Sequence, residues 1–530
     1  MAFDFIIVGA GSAGCVLAYR LSEDPKNAVL LIEAGGSDNH PFIRMPKGIV
    51  KLRHDQRFLW SYPIEDKTKA HEQEVWIRGK TLGGSSSING MVYIRGQAAD
   101  YDDWEALGNP GWGWDEMRKV YIAFEQHELG ESELRGGNGV MPISTYPGNY
   151  SVNDAIIAAG SAAGLPVRED LNGMINQEGI GYVPRTISGG RRVSAASSFL
   201  KQAKTRKNLT ILPRTFVSKV IFEGKTAVGV ECRLIDDTKE KYFAREIILS
   251  GGAIESPKLL QLSGIGESAQ LNELGIKTVH HSPGVGRNLR EHRFLTTKFR
   301  LKSGPSYNSD LRGLGLVRSV LNYLLFKKGV LTTSVYDVNA FIRAANNDRP
   351  DAQLALGPLS FDPKTYEIDR FHGIQCAGLP TRPESCGHVR LRSSDERDAP
   401  IVFANYLSDE RDRRVSVGIL RYIRHLFNHE PLKSLVAEEL LPGPDITEDD
   451  EIIRAFVEDG SPGFHVACTC KMGPASDPEA VLDEGLQVRG TTGLRVIDAS
   501  VMPTLVSGNT NGPTIAIAWR AADLILGVSR

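Results

Sequence analysis

Gly9, Gly11 and Gly14 stand at G-x-G-x-x-G spacing between the apolar run Phe5 to Val8 and the segment Cys15-Val-Leu-Ala-Tyr-Arg-Leu, whose apolar positions recur at helical intervals. The chemistry this permits is capture of a pyrophosphate. Gly9 allows a tight turn, and Gly11 lets backbone N–H groups approach the phosphates. Ser12 and Ala13 open a helix whose positive end favours negative charge, and Gly14 lets helix and strand pack closely. A second apolar run, Ala28 to Ile32, ends in Glu33, at the roughly 20-residue spacing of an acid that accepts ribose hydroxyls. A carboxylate suits a free diol and repels the 2′-phosphate of NADP, so the motif leaves NAD and FAD, which share the ADP half it reads.

Acid–base chemistry has its candidate near the other end of the chain, in Gly463-Phe464-His465-Val-Ala-Cys468-Thr-Cys470. An imidazole with an ordinary pKa of about 6.5 can take a hydroxyl proton at neutral pH. A lone histidine in an apolar run also reads as a satisfied core residue. Cys468 and Cys470 could add soft metal ligands, but no fourth ligand is nearby and metallation would consume the base, so no metal is expected. Asn509 could donate its amide to an oxygen on which negative charge gathers, or simply cap a helix.

These groups need rigid elements around them, and the chain is long enough to supply several. Its 530 residues exceed one ordinary domain, at about 150 residues per domain. Hydrophobic residues make up 41% and charged residues 24%, a globular composition rather than a disordered or fibrous one. Basic and acidic residues nearly balance, 62 against 64, so no overall field draws the chain to nucleic acid or to anionic lipid, although a local basic patch stays open. No apolar stretch reaches the roughly 18 residues of a spanning helix, and no basic leader precedes an apolar region, which reads as cytoplasmic. The six scattered cysteines fit a reducing compartment. Glycine is in excess at 54 residues, as expected where backbone must approach a ligand closely.

Strand patterns recur at Asn208 to Leu212, Lys219 to Phe222, Ala227 to Val230 and Glu246 to Ser250, the last running into Gly251-Gly252. Residues from about 300 to 460 alternate and carry amphipathic segments without glycine fingerprints, which predicts a separate sheet with its own helices. The nucleotide-type pattern resumes at Leu494-Arg-Val-Ile-Asp498. The first domain is therefore expected to be discontinuous.

Four blocks in order give the chain its likeness. Gly79-Lys-Thr-Leu-Gly83-Gly84-Ser-Ser-Ser-Ile88-Asn89-Gly90-Met91-Val92-Tyr-Ile-Arg-Gly96 is the first, and Gly252-Ala-Ile-Glu-Ser-Pro-Lys-Leu-Leu-Gln-Leu-Ser-Gly-Ile-Gly266 the second. Pro283-Gly-Val-Gly-Arg-Asn-Leu-Arg290-Glu291-His292 is the third, and His465 with Asp498-Ala-Ser-Val-Met-Pro503 and Asn509-Thr-Asn511-Gly-Pro-Thr514 the last. Together they resemble the glucose–methanol–choline (GMC) oxidoreductases, flavoenzymes, and within them the bacterial choline dehydrogenase-like and sorbose dehydrogenase-like branch. In the third block Arg290-Glu291 replaces the usual Gln-Asp.

The resemblance implies FAD in place of NAD, and an α/β fold. It combines a Rossmann-type FAD-binding domain (1–145, 191–300) with an α+β substrate domain built on an antiparallel sheet (146–190, 301–464), and 465–530 returns to the FAD domain with the catalytic residues. It implies that a primary or accessible secondary alcohol gives its proton to His465 and its carbinol hydride to the flavin, aided by Asn509, yielding an aldehyde or ketone. Electrons would then pass to a quinone, a dye or O2. Gly83, Gly84, Asn89, Gly90, Met91 and Val92 would line the flavin, Val217 would meet the adenine, and Asp498 would lie near the ribityl-pyrophosphate or cap a helix. Asn511 would face the pyrimidine ring or cap the last helix. Where some relatives attach FAD through a histidine, this chain has Ile88, which implies noncovalent FAD. For substrate the candidates are Trp60, Tyr336, Asp337 and Phe464, Asp337 standing where choline-specific relatives carry Glu. A hydroxynitrile lyase-like flavoprotein and an NAD-dependent dehydrogenase are the rival readings. The specific alcohol and the oligomeric state stay open.

Overall fold

The computed structural model describes residues 3–65, 73–145 and 150–528. The expected boundary at 145/146 abuts residues 146–149, outside the described residues.

Two seven-stranded sheets organise the chain. The first grows from β1 (Phe3–Val8), α1 (Ser12–Leu21) and β2 (Val29–Glu33), a strand–helix–strand unit in which β1 and β2 pair in parallel. All five residues of β2 are buried, with α1 and strand Phe216–Glu223 both packed against it. Strand Leu209–Pro213 extends the sheet beyond β2, and Lys239–Leu249 flanks β1 on the other side. Lys239–Leu249 is long enough to serve two neighbours. Its first half pairs antiparallel with Thr226–Arg233, and its last residues pair parallel with Leu494–Val496. The last pairing brings the C-terminal segment back to the nucleotide sheet, some 490 residues from β1 in sequence. The terminal helix Asn511–Leu526 then packs along α1, tied by the buried ion pair of Arg20 with Asp523 at 2.7 Å.

The second sheet is antiparallel, in the order Val436–Leu441, Arg293–Leu301, Gly373–Pro380, Ala352–Gly357, Val338–Ile342, Gly179–Tyr182. Arg293–Leu301 belongs to this sheet although sequence reading assigned residues up to 300 to the nucleotide part. The alternation of a strand puts neighbouring residues on opposite faces. On one face Val338, Ala340, Leu354 and Leu295 join a core with helices Glu410–Phe427, Ser151–Ala162 and Asp449–Glu458. On the other face Thr296, Ala377, Ala355 and Asn339 are cross-strand neighbours in one row. That row looks into a cavity shared with the first sheet's loops. The α/β and antiparallel halves therefore meet across a ligand-sized space.

Candidate active site

A single cavity of about 1090 Å³ runs from Gly9, Gly11 and Glu33 at one end, past Gly84 to Val92, to His465 and Asn509. This is at the top of the range of about 300–1,000 Å³ for small-molecule pockets. At the nucleotide end the glycines divide the work as their spacing predicts. A Cβ on Gly14 would lie 1.8 Å from the Gly9 carbonyl oxygen, so Gly14 serves helix–strand packing and sits behind the wall. A Cβ on Gly11 would meet nothing within 4 Å, and its φ of −76° suits any residue, so the space above it belongs to a ligand. Glu33 accepts from the backbone N–H groups of Ala10 and Gly35, each at 2.8 Å, and burial pushes its carboxyl up to about 7.

The first signature wraps the middle of the cavity. Gly84 passes so close to the phosphate loop that a Cβ would lie 2.7 Å from Gly11 Cα, while Gly83, in the left-handed region, stands behind the wall against Ser87. The strap Asn89 to Val92 is held from below by Arg192, whose guanidinium donates to the Asn89 backbone and side-chain oxygens at 2.6 and 2.8 Å. Sequence reading missed Arg192, because nothing in the pair Arg191-Arg192 distinguishes a buried arginine from an exposed one. Ile88 lines the cavity. Val217 lines it too, on strand Phe216–Glu223. Asp498 accepts from Gly252 N at 2.8 Å, Ser256 Oγ at 2.6 Å and Ser500 N at 2.8 Å, so it caps two turns while bordering the cavity. Asn511 does not cap its helix; its Oδ1 accepts from Ser12 Oγ at 2.8 Å and joins the two ends of the chain.

At the far end the structure brings together residues that the sequence scatters. His465 Nε2 and Asn509 Nδ2 are 2.9 Å apart, His465 Nδ1 and His292 Nδ1 are 2.9 Å apart, and His292 Nε2 lies 2.8 Å from the Thr381 carbonyl oxygen. A carbonyl only accepts, so His292 carries its proton on Nε2 and presents a lone pair at Nδ1. His465 therefore donates from Nδ1, which leaves its Nε2 as an acceptor toward Asn509 and the cavity. Gln353 Nε2 donates to Asn509 Oδ1 at 3.2 Å, which fixes the amide the same way round. The row is directed from Gln353 to Thr381. Burial holds His292 down to about 4, and burial with the neighbouring His292 and Arg78 holds His465 well below the usual histidine value. Both rings are neutral at pH 7.

The turn carrying His465 is tied at each residue. Gly463 N donates to His292 O at 2.7 Å, Arg78 Nη1 donates to Phe464 O at 2.6 Å, and His465 N donates to Glu291 Oε1 at 2.7 Å. A Cβ on Gly463 would lie 2.9 Å from His465 Nδ1, so only glycine leaves room for the histidine pair. Phe464 takes φ 58° under these ties and lines the cavity. Burial pushes the Glu291 carboxyl up to about 8. Arg78, Glu291, His292 and Gln353 carried no signal of this kind in the sequence: their roles depend on contacts across 174 residues for Glu291 and 386 for Arg78.

Two substrate candidates require correction. Asp337 is fully buried but lies outside the cavity wall. It stands just before strand Val338–Ile342 and turns its carboxylate to the Tyr307 hydroxyl and to Asn153 Nδ2, because a buried carboxylate needs donors. Its neighbours Tyr336 and Asn339 line the cavity instead, and both amide atoms of Asn339 lack a hydrogen-bond partner among the described residues. Trp60 does line the cavity, but its ring lies 6.2 Å from Phe216, the neighbour of Val217, with Lys80 Nζ 4.3 Å over it, and Lys80 acts in turn on Glu33. It walls the nucleotide end.

Family models of GMC oxidoreductase match residues 3–294 and 383–518. The chain belongs to the GMC oxidoreductase family. It is similar to the oxygen-dependent choline dehydrogenase of Vibrio vulnificus (strain YJ016), 40% identical over 99% of this chain and 94% of that one. It is 38% identical to an alcohol dehydrogenase [acceptor] of Pseudomonas putida over 99% of this chain and 96% of that one. Among solved structures, pyridoxine 4-oxidase from Mesorbium loti superposes with a TM-score of 0.89 at 31% identity, each chain covered completely. The protein is an FAD-dependent oxidoreductase acting on CH–OH donors. Its residues fit that cofactor: the open space over Gly11, the close pass of Gly84, the cavity-lining Glu33 and the length of the cavity all suit a flavin dinucleotide. The aliphatic Ile88 offers no atom for a covalent bond, in keeping with noncovalent FAD.

Gly11→Val tests the phosphate loop. The variant is expected to fold, with unchanged circular dichroism, yet to purify colourless because the isopropyl group fills the pyrophosphate's place; a yellow variant would contradict this.

Proposed function

We propose that this enzyme oxidises a neutral, largely apolar alcohol, with His465 as base. The observation that carries the reading is the directed row Gln353–Asn509–His465–His292–Thr381, which keeps His465 neutral with its Nε2 unprotonated at the cavity edge, accepting from Asn509 until a substrate hydroxyl shares or displaces that contact. Bound FAD supplies the two-electron acceptor. A substrate hydroxyl set over the His465–Asn509 pair reaches both: it donates to His465 Nε2 and accepts from Asn509 Nδ2. When Nε2 takes the proton it stops accepting from Asn509. That N–H is then free to follow the charge on the substrate oxygen, which is where stabilisation accelerates the reaction. His292 acts as a positioning residue, holding the tautomer that keeps Nε2 unprotonated.

Specificity follows from the charges present. The carboxylates lining the cavity among the described residues are Glu33, Glu255 and Asp498, and each is already bonded to backbone, hydroxyl or ammonium groups. The cations lining the cavity are Lys47, Lys51, Arg53, Arg78 and Lys258. A quaternary ammonium brought there would meet no unpaired carboxylate among the described residues. Met45, Ile49, Leu311, Val320, Leu359 and Ile368 instead make an apolar approach. Relatives of nearly equal identity carry choline dehydrogenase and alcohol dehydrogenase names, so it is the cavity lining that supports the apolar reading. The electron acceptor is a quinone or O2, and the setting is cytoplasmic, in keeping with six free cysteines.

His465→Ala is expected to slow anaerobic flavin reduction by about 10²-fold or more, the scale of acid–base catalysis, with the yellow colour retained. In the parent enzyme kcat/KM should fall with decreasing pH along a limb below about pH 6.5. The sign follows from the depressed His465 value, since the neutral base persists until the pH drops through it; a limb above that value would sink the assignment. His292→Leu should lower kcat by about 10–100-fold with KM and flavin content little changed, and His292→Gln, which keeps an acceptor for Nδ1–H, should recover much of it. Equal losses in both would reduce His292 to a packing residue. In a substrate comparison, medium-length 1-alkanols should exceed choline in kcat/KM by about 10²-fold, and a preference for choline would overturn the apolar-alcohol reading.

A further inference from the structure

Helix Gly313–Phe326 carries its apolar side chains on the wrong side for a surface helix. Only Ser319 and Tyr323 are buried, while Leu314 is 88% and Leu325 71% exposed, with Val317, Leu321, Leu324 and Phe326 each more than half exposed. Residues 314, 317, 321 and 325 fall on one stripe of a 3.6-residue period. A second flank, Leu316, Val320 and Leu324, lines the mouth of the active-site cavity. Across that mouth Phe42, Val50 and Tyr366 are exposed and line the same cavity. An exposed apolar surface of this extent marks an interaction site.

The surrounding charges indicate what covers it. None of the helix's 14 residues is acidic. Arg312 precedes it, Arg318 projects from it, Lys327 and Lys328 follow it, and Lys51 and Lys364 stand exposed on the facing rim. The adjacent Asp310 is engaged by Arg318 at 2.7 Å, and Glu367 is the exposed acid near the rim. At a rise of about 1.5 Å per residue the helix is too short to cross a bilayer. Apolar side chains flanked by lysine and arginine are the composition of a helix that lies in the headgroup region of a membrane.

We propose that this helix docks the enzyme on an anionic lipid surface, so that the cavity mouth opens onto the bilayer and apolar ligands enter from it. The net charge of −2 does not oppose this, because the attraction is local and acts within a Debye length of the surface. The apolar-alcohol reading gives the docking a purpose, but the exposed helix stands independently of it.

The test is vesicle flotation of the FAD-loaded enzyme. With phosphatidylcholine vesicles containing about a quarter phosphatidylglycerol, the protein should float, and it should float less at about 0.5 M salt or with phosphatidylcholine alone. The variant Leu314→Gln/Val317→Gln/Leu321→Gln/Leu325→Gln, whose substitutions lie outside the cavity wall, should lose vesicle partitioning by about tenfold or more. Its flavin content and its turnover with a soluble dye should stay unchanged, which separates this proposal from the catalytic one. Failure of the parent enzyme to float, or equal flotation of the variant, overturns the proposal. So does a parent dimer in sedimentation velocity that the variant converts to monomer without any vesicle binding, since the face is then covered by a second copy of this chain.

Discussion

The carbonyl oxygen of Thr381 can only accept, and from that one fact the direction of every hydrogen bond in the row behind the cavity follows. It holds the proton of His292 on Nε2, which turns Nδ1 into an acceptor, which holds the proton of His465 on its inner nitrogen. The outer nitrogen is then an acceptor, engaged by the Asn509 amide where it borders the substrate space. Burial reinforces the arrangement by penalising the charged form of both rings. A solvent-exposed histidine would exchange tautomers and protons with water. Here the tautomer is set by the main chain just beyond a strand of the second sheet.

That dependence explains why so much of the molecule is needed to place one imidazole. The antiparallel sheet supplies Gln353 and Asn339 from its cavity face, and the segment after strand Gly373–Pro380 supplies Thr381. The block ending in His292 enters strand Arg293–Leu301, so His292 is fixed at a strand's start. The C-terminal segment is anchored to the nucleotide sheet by the pairing of Leu494–Val496, and from there it delivers Asn509 and the terminal helix. Each half of the fold holds part of the site, and the Gly463–His465 turn is pinned to both through Glu291 and Arg78. The Glu291 carboxyl, which stands where the family usually has Asp, accepts the His465 N–H.

The cavity also separates two kinds of recognition. Its nucleotide end is made of backbone and glycine, with one carboxylate, Glu33, held by the N–H groups of Ala10 and Gly35. Its substrate end is made of small and apolar side chains from alternate strand positions, with two amides and no unpaired carboxylate among the described residues. The apolar character continues outward through Leu316, Val320 and Leu324 to the exposed helix, so one gradient runs from the directed histidine row to the surface.

The sequence alone determined the nucleotide end, because there the chemistry is local. Gly9, Gly11, Gly14 and Glu33 act through turns and spacings within one strand–helix–strand unit, and backbone conformation is a short-range property. It also marked His465 and Asn509 through their blocks, and the alternation that makes a second sheet. It misread Asp337 and Trp60, since a side chain's direction depends on which neighbours bury it, and those come from Asn153, Tyr307 and Phe216 far along the chain. It placed Glu291 and His292 in a family block without giving them a role, and passed over Arg78 and Arg192, for the same reason. Only the folded chain decided which nitrogen of His465 carries its proton, because a hydrogen-bond direction is a relation between groups that only packing brings within 3 Å.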